Sequence, residues 1–179
     1  MRNLLAANFF RLGKSRIFWG LLGVMLALGG LLVLNYWQMN QEEHFPLDGA
    51  FFTYPILACI VTAVFIPLFF GAEYSGGCIR QKVAAGHSRP LIYAANLLVG
   101  TAASVLFCAA YMAAVAAMGT PLVGPIEMAP ELAALIIFGS LAAMAALCAL
   151  FTFVVMLCDR KTVAAVVCVL GVFLLFIAG

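Results

Sequence analysis

Five stretches of the chain contain no Lys, Arg, Asp or Glu: residues 17–39, 51–72, 90–118, 132–157 and 162–179. Each is apolar all round rather than on one face, and each approaches or exceeds the ~20 residues that a helix needs to cross a bilayer. A backbone at membrane depth has to satisfy its own N–H and C=O groups. The runs are too long and too uniform for the alternating ~10-residue strands of a barrel. The pattern predicts an all-α, polytopic integral membrane bundle of five spans, a single membrane domain over residues 1–179. The first span exceeds a signal-peptide core and is followed by further spans, so it stays on the mature protein.

The segment before the first span has its own periodicity. At 100° per residue, Leu5, Ala6, Phe9, Phe10 and Leu12 share one arc, and Asn3, Asn8, Arg11, Lys14 and Ser15 share the other. That predicts an amphipathic interfacial helix over residues 3–16, its apolar arc in the membrane surface and its cations toward anionic lipid headgroups.

Composition agrees with the pattern: 66% hydrophobic, 9% charged, mean hydropathy +1.17, in 179 residues. Soluble domains carry about 25% charged residues. Little chain remains outside the spans, which excludes a separate soluble catalytic domain. The net charge of +2 conceals a complete segregation. Arg2, Arg11, Lys14 and Arg16 precede span one, Arg80, Lys82 and Arg89 separate spans two and three, and Arg160 and Lys161 separate spans four and five. Glu42, Glu43, Asp48, Glu127 and Glu131 fall on the other side, without a cation. The positive-inside rule therefore predicts a cytoplasmic N-terminus. No basic cluster interleaved with aromatic residues suggests nucleic acid as a partner. An odd number of spans puts Gly179 outside, in apolar sequence with no polar flank. This reads as a chain lacking a sixth span.

Candidate chemistry is sparse. Cys59, Cys108, Cys148 and Cys168 lie within spans, Cys158 ends one, and only Cys78 lies in a polar loop. No CxxC, zinc spacing or disulfide framework emerges, so the cysteines read as small apolar packing residues. His44 and His87 fall on opposite sides, no charge lies inside a span, and neither HExxH nor paired Asp occurs, so neither a metal nor an enzymatic site is expected. Pro67 removes a helix hydrogen bond to Ala63, as a hinge or as a tolerated kink. Small residues in spans three and four, among them Ala109, Ala113, Ala117, Gly139 and Ala143, predict close helix packing.

The most informative segment runs from Glu73 to Pro90, between spans two and three. Ser75 can cap a short helix on which Ile79 and Val83 share a face while Arg80 and Lys82 point elsewhere. Gly86 suits its C-terminal cap, and Ser88 with Pro90 suits the start of the next helix. Cations that merely fix topology need neither the Gly76-Gly77 pair nor the i,i+4 apolar pair. The segment therefore reads as a docking surface in preference to a plain loop.

The residues Glu73, Tyr74, Ser75, Gly77, Ile79, Arg80, Lys82, Gly86, Ser88 and Arg89, in that order behind an amphipathic N-terminal helix, resemble the ABC-2 type permeases. The likeness is to their bacitracin, lantibiotic and sodium exporter-like branch. Cys78 stands where Thr is common in that pattern. The resemblance implies a six-span membrane subunit of the bacterial cytoplasmic membrane, paired with a second copy or a sister permease. It also implies a coupling helix, built from Glu73, Tyr74, Ser75, Gly77, Ile79, Arg80, Lys82, Val83, Gly86 and Arg89, that receives motion from cytosolic ABC ATPase subunits. This chain carries no GxxxxGK[ST] sequence, so it binds no nucleotide cofactor and the partner subunit hydrolyses the ATP. Export of a small or amphipathic compound is the expected activity. A non-transporting multi-pass protein, an immunity or assembly factor, is the alternative.

Overall fold

The computed structural model describes residues 2–40, 46–75, 84, 86, 88–158 and 160–178, and the regular structure among them is entirely helical. In chain order the helices are α1 (Arg2–Lys14), α2 (Arg16–Met39), α3 (Asp48–Phe51), α4 (Tyr54–Ser75), α5 (Arg89–Leu122), α6 (Pro130–Leu157) and α7 (Lys161–Ala178). Four stretches are long and apolar enough to cross a membrane: Arg16–Met39, Asp48–Ala72, Arg89–Leu122 and Pro130–Leu157. The apolar part of α7, Thr162–Ile177, is shorter.

Local chemistry sets several boundaries. Ser15 separates α1 from α2 as an N-cap with extended backbone, its Oγ accepting the Phe18 N–H at 3.3 Å. The run expected to be one helix over residues 51–72 is interrupted at Phe52 and Thr53. Pro55 has no N–H to give the carbonyl of Phe51, so α3 cannot feed its hydrogen-bond ladder into α4. At its other end α4 continues past the charge-free run to Ser75, with Pro67 accommodated inside it. Pro90 occupies the first turn of α5 and Pro130 that of α6, where the missing N–H was unpaired anyway.

The centre of the bundle is α4 with α5. Helix α4 packs against α2, α5, α6 and α7, and α5 against α1, α2, α3, α4 and α6. Their buried residues, including Phe65, Ile66, Phe70, Val99, Phe107 and Tyr111, form most of the core. Large side chains on α6 and α7 point away from it: Phe138 is 73% exposed and Ile177 is 81% exposed. In water such faces would associate; against lipid tails they are matched.

Close approach is concentrated where α2 crosses α5. A Cβ on Gly29 would lie 3.0 Å from the Ala114 Cβ and 3.1 Å from the Tyr111 carbonyl oxygen. A larger residue here would require the two helices to shift apart, and close approach of this kind is the means by which membrane helices gain dispersion contact without a hydrophobic driving force. The segment after α2 is pinned to the same crossing. Leu47 and Ala50 are buried, and the Tyr111 hydroxyl donates to the Ala50 carbonyl at 2.8 Å. Asp48 Oδ1 accepts the backbone N–H of Glu127 at 3.2 Å, bringing the two acidic connections to one end of the bundle.

The two tryptophans mark a depth scale. Trp19 and Trp37 are both partly exposed on α2 and stand 18 positions apart, which is about 27 Å along a helix. Tryptophan prefers the two interfaces of a bilayer whose hydrocarbon core is ~30 Å thick. Trp19 stands at the level of the α1–α2 turn, where its Nε1–H donates to the Gly13 carbonyl at 2.8 Å.

Candidate functional site

At the end of the bundle that carries the cations, α1 lies across the starts and ends of the other helices. Its N-terminal half sits on α5, where Leu4 clusters with Ile92 and Ala95. Asn8 Nδ2 donates to Asn96 Oδ1 at 2.9 Å in a buried contact. Its C-terminal half sits on α4: the Arg11 guanidinium lies 4.1 Å from the centroid of the Phe69 ring, and its Nη2 donates to the Phe69 carbonyl at 2.5 Å. Leu12 is buried in the main core.

This corrects the helical-wheel expectation. Asn8, expected on a polar outer arc, is only 3% exposed and faces the bundle. The expected membrane-facing arc is split: Leu12 turns inward, while Phe9 and Phe10 stay exposed. The inward face is centred on Leu4, Asn8 and Leu12, one turn apart, because the mate for Asn8 is a carboxamide inside α5. A buried amide without a partner costs several kcal/mol in an apolar medium, so a matched pair outweighs the tendency of the apolar arc to face lipid as a unit. The signal was present in the sequence as Asn96, a carboxamide inside the otherwise apolar third run. Asn96 Nδ2 is buried with no hydrogen-bond partner among the described residues.

Beneath α1 the aromatic rings form a continuous cluster. Phe65 stacks on Phe69 at 5.2 Å between centroids and meets Phe107 edge-on at 5.4 Å, and Phe18 touches both Phe65 and Phe107. Such pairs add about 0.5–1.5 kcal/mol each beyond burial. The cluster ties α2, α4 and α5 together directly below the cation–π contact of Arg11. Arg11 on Phe69 thus links the last turns of α4 to α1, the rings link them to α2 and α5, and Asn8 on Asn96 links α1 to α5.

Glu73, Tyr74 and Ser75 form the last turn of α4. Ser75 is the last described residue of that helix, and the short helix it was expected to cap lies beyond it. Gly77, Ile79, Arg80, Lys82 and Val83 lie outside the described residues, and so does the expected short helix. Gly86 has φ of +86°, the left-handed conformation that a helix-terminating glycine adopts. Ser88 takes the N-cap position of α5 with extended backbone but makes no side-chain cap bond, and Arg89 opens the helix, exposed. The structure thus brings both ends of the motif to the basic end of the bundle, one on the central helix α4 and the other on α5.

Three cations at this end oppose the local preference of their helices. Arg16, Arg89 and Lys161 each begin a helix, α2, α5 and α7. The partial positive charge of a helix N-terminus makes cations unfavourable there by a few tenths of a kcal/mol each. At the other end Asp48 and Glu131 begin α3 and α6, where acids are favoured. Arg11 and Lys14, by contrast, lie in the last turn of α1, where cations are favoured. Among the described residues no group of three or more His, Cys, Asp or Glu is placed to hold a metal ion. Compared with known proteins, the chain matches no family model, no curated protein and no solved structure.

Proposed function

We propose that the chain is the membrane-spanning permease subunit of an ABC-2 type transporter of a bacterial cytoplasmic membrane, driven by a separate ATPase that docks on residues 73–89. In this reading five helices cross the bilayer, α3 with α4 counting as one and α7 as the fifth, and α1 lies in the inner interface. The N-terminus is cytoplasmic: the gathering of the cations at one end is what the positive-inside rule requires, and for Arg16, Arg89 and Lys161 it runs against the helix dipoles.

One observation carries the mechanical part. The helix that leads into the motif, α4, is the one packed against α2, α5, α6 and α7. A push delivered after Ser75 enters the bundle at one of its two central helices. On the other side of the motif Arg89 opens α5, which contacts α1, α2, α4 and α6. A partner that closes on ATP and pulls on residues 73–89 would drive both central helices at once, while Arg11 on Phe69 and Asn8 on Asn96 make α1 follow. The chain's own residues supply packing and leverage; the partner supplies the energy. Spans without charged residues suit a hydrophobic or amphipathic cargo moving between helices better than a bare ion. A second permease copy would complete the passage.

The test is association. Chain purified in mild detergent from its native membrane should carry a Walker-motif ATPase in near-stoichiometric amount. Deletion of residues 75–85 should release that ATPase while the chain still inserts. Unchanged association after the deletion would overturn the docking assignment, and absence of any such ATPase would favour a non-transporting membrane protein.

A further inference from the structure

At the acidic end of the bundle, α3 is built to stand alone. Its single turn closes within itself: the Phe51 and Phe52 amides donate to the Leu47 and Asp48 carbonyls at 3.0 and 2.9 Å, and the Thr53 hydroxyl donates to the Gly49 carbonyl at 2.6 Å. These bonds survive if the turn moves as a body. On its C-terminal side the helix breaks at Phe52 and Thr53, and Pro55 has no N–H to carry the ladder into α4. The break is a hinge between a self-contained turn and a long helix.

What holds α3 down is a short set of contacts with α2 and α5. The buried Leu47 side chain fills the notch left by Gly119, where a Cβ would lie 2.6 Å from Leu47 Cδ1. Gly49 lies against the Tyr36 hydroxyl, and the Tyr111 hydroxyl donates to the Ala50 carbonyl at 2.8 Å. Val115 stands midway between Tyr111 and Gly119 on the same face of α5, and it is fully buried. A cavity of about 330 Å³ adjoins this strip, lined by Leu47 together with Pro46, Val123, Pro125 and Glu127 among others. Leu47 therefore has two sides, one in the cavity wall and one in the Gly119 notch. Segments held by so few contacts open locally, at lower cost than the packed bundle.

We infer that α3 is a lid over the acidic end of the α2–α5 crossing, hinged between Phe52 and Pro55 and fastened by Leu47 and Tyr111. Its opening joins the cavity to the strip of α5 at Val115 while the bundle stays folded. Its use as the exit gate of a permease rests on the function proposed above; the lid itself requires neither the ATPase nor the orientation.

The experiment uses the full chain without any ATPase, in lipid nanodiscs that leave both faces accessible, so its failure and that of the proposed function can be told apart. With Cys78→Ser and Cys158→Ser in place, a charged, membrane-impermeant maleimide is the probe. Val115→Cys should react above the background of the remaining native thiols but well below the rate of the exposed Glu127→Cys. Tyr111→Phe should speed that reaction about five-fold, the factor one net hydrogen bond supplies. Asn8→Ala, which weakens the opposite end of the bundle, should leave it unchanged. Ala50→Cys, on the buried face of α3, is a second reporter and should follow the same pattern. Circular dichroism on each variant confirms folding. No reaction above background at either reporter, with or without Tyr111→Phe, would make α3 a fixed part of the bundle and overturn the inference. So would equal acceleration by Asn8→Ala and Tyr111→Phe, which would mean that the reporters are exposed only when the whole bundle opens. Reaction as fast as that of Glu127→Cys would show that no closed lid exists.

Discussion

The Asn8–Asn96 contact shows how a single polar residue can set the orientation of a helix. Truncating Asn8 to Ala removes the donor to Asn96 Oδ1 and leaves a second buried atom of that amide unpaired, at a cost of about 1–3 kcal/mol. Replacing both residues by Leu removes both polar groups together and should cost less than the sum of the single changes. The coupling energy from a double-mutant cycle should fall near 0.6 kcal/mol and not exceed about 1.7 kcal/mol, the range for polar pairs between membrane helices. Reversible unfolding in mixed micelles measures it, and strict additivity would show that the two amides do not interact. At the other end, Tyr111→Phe loses the hydroxyl bond to the Ala50 carbonyl. It should cost about 1 kcal/mol and raise hydrogen exchange over α3 without altering exchange at the basic end.

Among the elements, the crossing of α2 and α5 brings a backbone carbonyl and a Cβ up against Gly29. Gly29→Val puts methyl groups against the Tyr111 carbonyl and the Ala114 Cβ, neither of which can rotate away, so the helices must separate. The expected loss is about 1–3 kcal/mol. Gly139→Ala on α6 meets nothing within 4 Å and should be neutral or stabilising by up to about 1 kcal/mol through helix propensity. If both changes had equal effects, the glycines would not be sorted by packing. The same elements show what sequence could and could not deliver. Charge-free runs located the long helices to within a few residues, because the membrane imposes length and apolarity on them directly. The break before α4 was missed although Pro55 marks it, since hydropathy is blind to a missing N–H. The rotation of α1 was missed because a helical wheel sums hydrophobicity and contains no partner. Asn8 faces inward for the sake of Asn96, 88 positions away, and only the tertiary arrangement brings them together. The motif of residues 73–89 was legible as an order of residues, while the latch that Arg11 makes with Phe69 had no sequence signal beyond a cation in an amphipathic segment.

For the molecule as a whole, the proposed function joins sorted charge, exposed apolar faces on α6 and α7, and a central helix leading to the motif into one scheme: a membrane body moved from its basic end. Its orientation is directly measurable. In intact cells, with Cys78 and Cys158 replaced by Ser, a membrane-impermeant maleimide should label Glu127→Cys from outside and should label Arg160→Cys only after permeabilisation. The reverse pattern would invert the bundle and put residues 73–89 out of reach of any cytosolic ATPase. The most direct test of the central claim is site-specific photocrosslinking from the motif itself, with benzoylphenylalanine in place of Ile79 in the native host. The account predicts a covalent adduct with a Walker-motif ATPase, identified by mass spectrometry and diminished when Glu73 is also changed to Ala. Adducts with lipid alone, with the chain correctly inserted and no ATPase attached, would contradict it.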